Sequence, residues 1–144
     1  MDNHYVAQHY GQAQVDQDLD TLSELMHDDI VVTYPQSGET IRGSANYAEM
    51  LRNYSDGLAD MEIEQQHAPE RSVQVRTSPM GMPVITVSGE GNLFFTESVA
   101  TYPDGSVYHV AGILEIHGGQ VTKETMYFAA PFDAPDWREQ YRES

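Results

Sequence analysis

The stretch that decides the fold is residues 92–128, which read NLFFTESVATYPDGSVYHVAGILEIHGGQVTKETMYF. Asp104-Gly105 and Gly118-Gly119 interrupt it, and both dipeptides tolerate the positive φ angles of a type I′ turn. Between these dipeptides lie three runs rich in β-branched and aromatic residues, as is typical of strands: 92–102, 107–116 and 121–128. The sequence therefore predicts three antiparallel strands joined by tight hairpins.

Two-residue loops at both turns would fix which residues share a face of this sheet. Pro103 would then pair with Ser106, and His117 with Gln120. One face would be apolar, with the carboxylate of Glu97 in its middle. Its members would be Leu93, Phe95, Glu97, Val99, Tyr108, Val110, Gly112, Leu114, Ile116, Val121, Thr125 and Tyr127. This pattern predicts a curved sheet that holds a pocket.

Length and charge limit the classes of protein to consider. A chain of 144 residues has the size of one ordinary domain, so we expect residues 1–144 to form a single one. The 23 Asp and Glu against 7 Lys and Arg give a net charge of -16. Such a surface repels phosphate backbones and anionic lipids, so we expect neither a nucleic-acid partner nor a membrane partner.

The absence of cysteine excludes disulfides and thiolate nucleophiles, and the first ten residues do not resemble a signal peptide. We therefore expect a cytoplasmic protein.

The rest of the chain predicts helices first and strands afterwards. Apolar residues at helical spacing indicate a helix over 3–15, a short one capped by Asp18 that ends near His27, and a third capped by Ser44 and stopped by Asp56-Gly57. Further strands are predicted at 30–34, 39–42, 61–67, 72–76 and 84–87, with a mobile loop at 78–83 and a helical turn after Pro135. This order predicts an α+β fold in which three N-terminal helices pack on one strongly bent antiparallel sheet.

Two strings carry a family resemblance: YPQSGETIRG at residues 34–43, preceded by DLDTLSELMHDDIVV, and YPDGSVYHVAGILEIHGGQV, followed by ETMYFAAPFDAPDWR. With them the chain resembles the nuclear transport factor 2-like superfamily, and within it a SnoaL-like subgroup. The resemblance implies the cone-shaped, cystatin-like α+β fold of ketosteroid isomerases, scytalone dehydratases, limonene epoxide hydrolases and SnoaL-type polyketide cyclases. Because members include enzymes, binding modules and transport factors, it implies a fold more than a chemistry.

The ketosteroid isomerase site is matched only in part. The resemblance places that enzyme's first-helix tyrosine, which belongs to its oxyanion hole, on Tyr10. Its general-base aspartate falls on Tyr34, and its second oxyanion-hole acid falls near Gly112, where no carboxyl exists. Since two of the three catalytic residues have no counterpart in this sequence, steroid isomerisation by that mechanism is not expected.

Glu97 is the main catalytic candidate from the sequence. In the predicted register it stands among apolar side chains opposite Gly112, and such surroundings favour the protonated carboxyl needed by a general acid or base near neutral pH. The alternative is a structural carboxylate that is hydrogen-bonded to tyrosines or to Thr125. His109 is the second choice, because only a one-residue slip of the register would place it beside Glu97.

The tyrosines predict a small-molecule site. Tyr10 and Tyr34 are candidate catalytic donors, although each tyrosine taken singly is more often a packing residue with a satisfied hydroxyl. The candidate ligand-binding residues are Phe95, Tyr108, Leu114, Thr125 and Tyr127. The expected ligand is small, apolar or aromatic, and bears a carbonyl or hydroxyl. The six His are scattered, and no nucleotide or dinucleotide motif occurs, so we expect neither a metal nor a cofactor.

Three functions follow from these residues. The first is a cofactor-free isomerase, cyclase or dehydratase (a lyase); the second is a ligand-binding module without turnover; the third is a dimerisation module. In the predicted register, the face opposite the pocket is also apolar, which predicts a homodimer. That face would carry Phe94, Ala100, Tyr102, Val107, Ala111, Ile113, Met126 and Phe128.

Overall fold

The computed structural model describes residues 2–53, 62–64, 72–76, 83–102 and 104–143. Three helices precede most of the sheet: α1 (Asn3–Asp16), α2 (Leu19–Leu25) and α3 (Ser44–Arg52). The Asp2 carboxylate accepts hydrogen bonds from the first free backbone N–H groups of α1, and Asp18 does the same for α2. α2 ends two residues earlier than predicted because Met26 already has extended backbone and begins the first strand. None of the described helices combines the length and apolar character needed to cross a membrane.

The strands form one open sheet. They are β1 (Met26–Tyr34), β2 (Glu39–Arg42), β3 (Glu62–Glu64), β4 (Ser72–Arg76), β5 (Pro83–Glu90), β6 (Leu93–Thr101), β7 (Val107–His117) and β8 (Gln120–Ala129). Their order is β2-β1-β8-β7-β6-β5-β4, and β3 also pairs with β6. The predicted α+β class is confirmed. The prediction of a purely antiparallel sheet is wrong at one place, because β1 and β8 pair in parallel and make the sheet mixed.

The core lies between the helices and one face of the sheet, which we name the inner face. Helices α1 and α2 contribute Val6, Tyr10, Ala13, Leu22 and Leu25. The strands contribute Met26, Ile30, Val32, Phe94, Leu114, Ile116 and Val121. Val6, Tyr10 and Ala13 form the buried stripe of α1, which confirms the apolar helical spacing predicted for residues 3–15.

The turn between β7 and β8 is confirmed, but the register beyond it is not. Gly118 and Gly119 both have positive φ angles, and His117 pairs with Gln120 as predicted. A β-bulge then shifts the pairing, since Ile116 faces Val121 while Glu115 faces Lys123. The extra residue is Thr122, whose hydroxyl donates to the Glu115 carbonyl at 3.1 Å. Every residue of β8 after the bulge therefore lies on the face opposite to the one predicted.

The hairpin between β6 and β7 is also one residue out of the predicted register. Tyr102 donates its backbone N–H to the Ser106 carbonyl, and the Asp104 carboxylate accepts from the Ser106 backbone and hydroxyl, which closes a three-residue loop. Phe94, Thr96, Ser98 and Ala100 consequently lie on the inner face and are buried. The alternate residues of β6 lie on the opposite face, which we name the outer sheet face.

Several further predictions concern the remaining segments. The helix stop at Asp56-Gly57 and the loop at 78–83, except Pro83 at the start of β5, lie outside the described residues. The predicted helical turn near the C-terminus is a 3-10 helix, Asp136–Tyr141, which follows Pro135.

Candidate functional site

A carboxyl group lies at the centre of the core. It belongs to Glu124 of β8, which is fully buried on the inner face opposite Leu114. The Tyr10 hydroxyl donates to its Oε2, and the Tyr47 hydroxyl donates to its Oε1 at 3.2 Å. The Gln14 side-chain amide donates to the same Oε1 at 3.1 Å. Both carboxyl oxygens therefore have hydrogen-bond donors.

Helix geometry explains why these donors converge. Tyr10 and Gln14 are four residues apart on α1, so they lie on the same side of that helix. Tyr47 reaches Glu124 from α3. Glu124 meets them only because the bulge after Val121 moves it to the inner face.

Burial controls the protonation of this cluster. Burial raises the pKa of the Glu124 carboxyl, and the hydrogen bonds from Tyr10, Tyr47 and Gln14 only partly oppose that rise. Burial, and next the charge of Glu124, raises the pKa of both Tyr10 and Tyr47 well above the usual 10.0. Glu124 is therefore the first member of the cluster to lose a proton, while the two phenols remain donors.

A cleft opens beside the cluster at the end of β1. Its volume is about 490 Å³, and four aromatic residues, Tyr34, Tyr102, Tyr108 and Phe128, form much of its wall, with Met50 beside them. The Tyr34 and Phe128 rings meet edge-on with centroids 5.7 Å apart, and the Tyr102 and Tyr108 rings do so at 5.4 Å. The polar lining residues are Gln36, Ser37, Glu39, Asp104 and Ser106. We name this site the aromatic cleft.

Tyr34 joins the aromatic cleft to the buried carboxyl. It lines the cleft, and its side chain is hydrogen-bonded to that of Tyr47, one of the donors to Glu124. A continuous chain of hydrogen bonds thus runs from Tyr34 through Tyr47 to Glu124 and on to Tyr10. Such a chain can move a proton between the cleft and the core.

The structure brings together some of the predicted site residues. Tyr10, Tyr34 and Tyr108 lie on the helix side of the sheet, with Tyr10 in the carboxyl cluster and the other two in the aromatic cleft. Leu114 lies in the core on β7, directly across from Glu124, rather than in the cleft. Whether Tyr10 and Tyr34 take part in catalysis stays a prediction.

The structure places the other predicted residues on the outer sheet face, away from both sites. Glu97 pairs with Ala111 instead of Gly112, because the loop after β6 has three residues. The same slip brings His109 onto the face that Glu97 occupies, as the alternative register implied. That face, however, is the outer sheet face and not the inner face that holds the core. The bulge in β8 leaves Tyr127 40% exposed, and the slip leaves Phe95 45% exposed. Thr125 lies on this face too and accepts a hydrogen bond from the Thr33 hydroxyl at 3.2 Å.

The sequence-based reasoning missed Gln14, Tyr47 and Glu124. Two of these had a detectable signal, because Gln14 lies one turn after Tyr10 and Tyr47 belongs to the apolar stripe of α3. Glu124 had none, since strict alternation from Gly118-Gly119 places it outside. Among the described residues, no group of three or more His, Asp or Glu is arranged to hold a metal ion.

Comparison with known proteins identifies the family. Residues 6–124 match the model of the SnoaL-like domain. The chain belongs to the SnoaL-like family. An NTF-2 like protein of unknown function from Burkholderia xenovorans LB400 is 31% identical to this SnoaL-like chain. The match covers 99% of this chain and 92% of that one, with a TM-score of 0.67.

Two further structures share the fold of the SnoaL-like chain. A candidate ketosteroid isomerase from Kribbella flavida DSM 17836 has a TM-score of 0.77 at 17% identity, over 99% of this chain and 90% of that one. An LEH-like epoxide hydrolase from M. tuberculosis has a TM-score of 0.60 at 20% identity, over 88% of this chain and 84% of that one. At these identities the likeness concerns the fold alone. Curated proteins provide no match to the chain.

Proposed function

We propose that this SnoaL-like domain binds a small, uncharged, apolar or aromatic molecule in the aromatic cleft. The hydroxyl or carbonyl of the ligand would contact Tyr34. The observation that carries the proposal is the position of Tyr34, which lines the cleft and is hydrogen-bonded through Tyr47 to the buried Glu124. The cleft volume of about 490 Å³ lies within the usual size of small-molecule sites.

The lining of the cleft favours a neutral ligand. The aromatic rings supply apolar surface, and stacking against them adds to the gain from burial. Glu39 and Asp104 also line the cleft. Hydrogen bonds from Ser106 lower the pKa of the Asp104 carboxyl, so this group is ionised near neutral pH and repels anions. Carboxylates and phosphate esters are therefore poor ligands for this site.

The proposal includes a catalytic form, which the hydrogen-bond chain from Tyr34 to Glu124 favours. Because burial raises its pKa, the Glu124 carboxyl keeps a proton to a higher pH than a free glutamate does. When Glu124 is protonated, the Tyr47 hydroxyl would turn to accept from it, so that this proton can pass to Tyr47 as the Tyr47 proton passes to Tyr34 and the Tyr34 proton passes to a ligand carbonyl. The reverse transfers would return the proton to Glu124. Water that removes a proton from the adjacent carbon would complete the conversion of the ketone to its enol. Tyr10 and Gln14 would hold Glu124 in position, and the domain would act as a cofactor-free isomerase.

The binding proposal can be tested with a matched pair of probes, 2-naphthol and naphthalene, titrated by fluorescence. The hydroxyl of 2-naphthol should improve binding roughly fivefold, since one hydrogen bond contributes about 1 kcal/mol. Tyr34→Phe should remove that preference and keep the affinity for naphthalene. Tyr127→Phe makes the same change on the outer sheet face and should alter neither affinity. Binding of neither probe, or a preference retained in Tyr34→Phe, would refute the proposal.

The catalytic form has its own test, the exchange of the α-protons of 2-tetralone for deuterium, followed by NMR. The wild-type chain should accelerate the exchange, and Tyr47→Phe should lose most of that acceleration because it interrupts the hydrogen-bond chain. The same variant should still prefer 2-naphthol to naphthalene, because Tyr34 remains. If the wild-type chain binds the probes but does not accelerate the exchange, the catalytic form is refuted and the protein is a ligand-binding module.

A further inference from the structure

The two oxygens of the Glu124 carboxyl have different surroundings. Within the described residues, Oε2 accepts from the Tyr10 hydroxyl, whereas Oε1 accepts from the Tyr47 hydroxyl at 3.2 Å and from the Gln14 amide at 3.1 Å. The Tyr47 hydroxyl has a second partner, the side chain of Tyr34, which lines the aromatic cleft. Oε1 is therefore the oxygen that is connected to the cleft by hydrogen bonds.

The ionised carboxyl fixes the direction of these hydrogen bonds. A phenol has one hydroxyl proton, so it can donate only one hydrogen bond. The carboxylate can only accept, so Tyr47 donates to it, and the Tyr47 oxygen accepts from the Tyr34 hydroxyl. The Tyr34 proton is thereby used inside the chain of hydrogen bonds, and the Tyr34 oxygen offers the cleft lone pairs alone. A ligand with an N–H or O–H group fits this arrangement, whereas a ketone does not.

Protonation of Glu124 reverses the direction. If the added proton lies on Oε1, the Tyr47 hydroxyl turns to accept it and donates its own proton to Tyr34. A proton on Oε2 would instead force the buried Tyr10 hydroxyl to turn, and within the described part of the chain this hydroxyl has no second hydrogen-bond partner. Oε1 is therefore the favoured position. The Tyr34 proton then points into the aromatic cleft, where a carbonyl oxygen can accept it.

We propose that the protonation state of Glu124 selects the ligand of the aromatic cleft. The ionised carboxyl selects neutral molecules that donate a hydrogen bond to Tyr34, and the protonated carboxyl selects neutral molecules that accept one from it. Glu124 determines specificity without touching the ligand, so it is a positioning residue that acts through Tyr47. The inference rests on the proposed function, because it requires the ligand to contact Tyr34. The protonated state is also the one that the catalytic form uses.

The groups around Glu124 make it the titrating member of the chain of hydrogen bonds. Among the described residues, the titratable side chains that face it are phenols: Tyr10 on α1, Tyr47 on α3 and, beyond Tyr47, Tyr34 at the end of β1. The residues directly across from it on the neighbouring strands are apolar: Val32 on β1 and Leu114 on β7. Burial raises the pKa of Glu124 above 4.5 and the pKa of both Tyr10 and Tyr47 well above 10.0. The carboxyl therefore changes charge while the phenols keep their protons.

Two neutral probes of similar size distinguish the two states. Indole has an N–H donor and no acceptor oxygen, whereas 1-indanone has a carbonyl acceptor and no donor. Their affinities should be measured from about pH 5 to about pH 9, where the phenols do not titrate, by competition with naphthalene fluorescence. The ratio of the indole affinity to the 1-indanone affinity should rise with pH. The total change should be roughly 25-fold, because one hydrogen bond improves the binding of each probe roughly fivefold in its own state.

Variants locate the switch in the chain of hydrogen bonds. Tyr47→Phe interrupts this chain and should make the ratio independent of pH while both probes still bind. Glu124→Gln carries an amide that can donate to Tyr47, so it should prefer 1-indanone at every pH. Glu97→Gln is the matched control on the outer sheet face and should keep the wild-type profile. The other two carboxyls of the cleft, Glu39 and Asp104, remain in all three variants, so any pH effect of theirs would persist in Tyr47→Phe.

Two results would overturn the proposal: a ratio in the wild-type chain that does not change with pH, and a change that persists in Tyr47→Phe. The first would result if the Gln14 amide turned over and accepted the Glu124 proton in place of Tyr47. Either result, with binding that still depends on Tyr34, would leave the proposed function intact. If indole, 1-indanone and naphthalene all fail to bind, the proposed function fails and the inference fails with it.

Discussion

The two faces of strands β6 to β8 both carry large aromatic residues, but they have opposite roles. The inner face holds Phe94 at 1% exposure and the fully buried Glu124, while the outer sheet face holds Phe95 at 45% exposure and Glu97. Each face carries large aromatic residues and at least one carboxylate, so these features alone do not distinguish them. What distinguishes them is register, which a three-residue loop and a β-bulge each shift by one residue.

The largest expected contrast is between two adjacent phenylalanines. Phe94→Ala should lower the free energy of unfolding by about 3–5 kcal/mol, because it leaves a cavity in the core. Phe95→Ala should lower it by less than about 1 kcal/mol, because that ring is already half exposed. Urea unfolding followed by far-UV circular dichroism measures both changes. The samples should be dilute enough to be monomeric, so that any dimer contact of Phe95 does not contribute. Equal losses would mean that the register described for β6 is wrong.

The next contrast concerns the two carboxylates. Glu124→Gln keeps the size of the side chain but replaces an acceptor oxygen by an amide that donates, so one of its buried donors loses its partner. The expected loss is about 1–3 kcal/mol of unfolding free energy. Glu97→Gln on the outer sheet face is the matched control and should change the unfolding free energy by less than about 0.5 kcal/mol. A larger loss in the control would place the structurally important carboxyl at Glu97.

A smaller effect is expected at Gly112, on the inner face of β7. A Cβ at this position would lie 2.5 Å from the Thr96 hydroxyl oxygen and 2.8 Å from the Met126 sulfur. Gly112→Ala should cost about 1–2 kcal/mol, as overpacking does, because the flexible Met126 side chain can move aside but the short, buried Thr96 side chain has less room to do so. Ala111→Ser, next to it on the outer face, should be neutral in the same unfolding assay. Neutrality at both positions would show that the inner face is loosely packed here.

The smallest expected effect is a difference in the pH dependence of Tm between the wild-type chain and Glu124→Gln. Because burial raises the pKa of Glu124 above 4.5, the folded chain keeps its proton in a pH range where the unfolded chain has lost it. The folded state therefore loses stability as the pH rises from 4.5 through the folded pKa, and this contribution is fully present below 4.5. Glu124→Gln lacks the titration, so its Tm should fall less with rising pH than that of the wild-type chain. Parallel Tm curves at high salt, where surface charges are screened, would argue against a raised pKa.

Much of the fold could be predicted because it rests on local signals. The capping residue Asp18 marks the start of α2, the helical spacing of Val6, Tyr10 and Ala13 marks a buried stripe, and Gly118-Gly119 marks a hairpin. Ser44 marks the start of α3, but the prediction that it caps this helix is wrong, because Ser44 is the first helical residue and Gly43 is the N-cap, with no side-chain capping bond. Each signal depends only on residues a few positions apart. The family resemblance, now confirmed by the match over residues 6–124, supplied the arrangement of these elements.

The candidate site could be predicted only in part, because face assignment depends on counting from a turn. One residue of error at the loop before β7 reverses the face of every residue in β6, which is how Glu97 and Phe95 came to be placed inside. No glycine or proline near Thr122 indicates the bulge in the sequence, so Glu124 was assigned to the face of the sheet away from the core. Tyr10 and Tyr34 do lie on the helix side of the sheet, because their positions depend on helix spacing and on the end of β1, not on those turns.

The parallel pairing of β1 with β8 has a consequence for the order of folding. These strands are far apart in sequence, and Tyr10 is 114 residues away from Glu124. During synthesis, α1, α2 and β1 emerge well before the strand that completes their core. Contacts of such long range are slow to form, because closing a long loop costs entropy before the contact is gained. The apolar stripe of α1 therefore lacks its partners on β7 and β8, and is more prone to aggregate, until those strands have been synthesised.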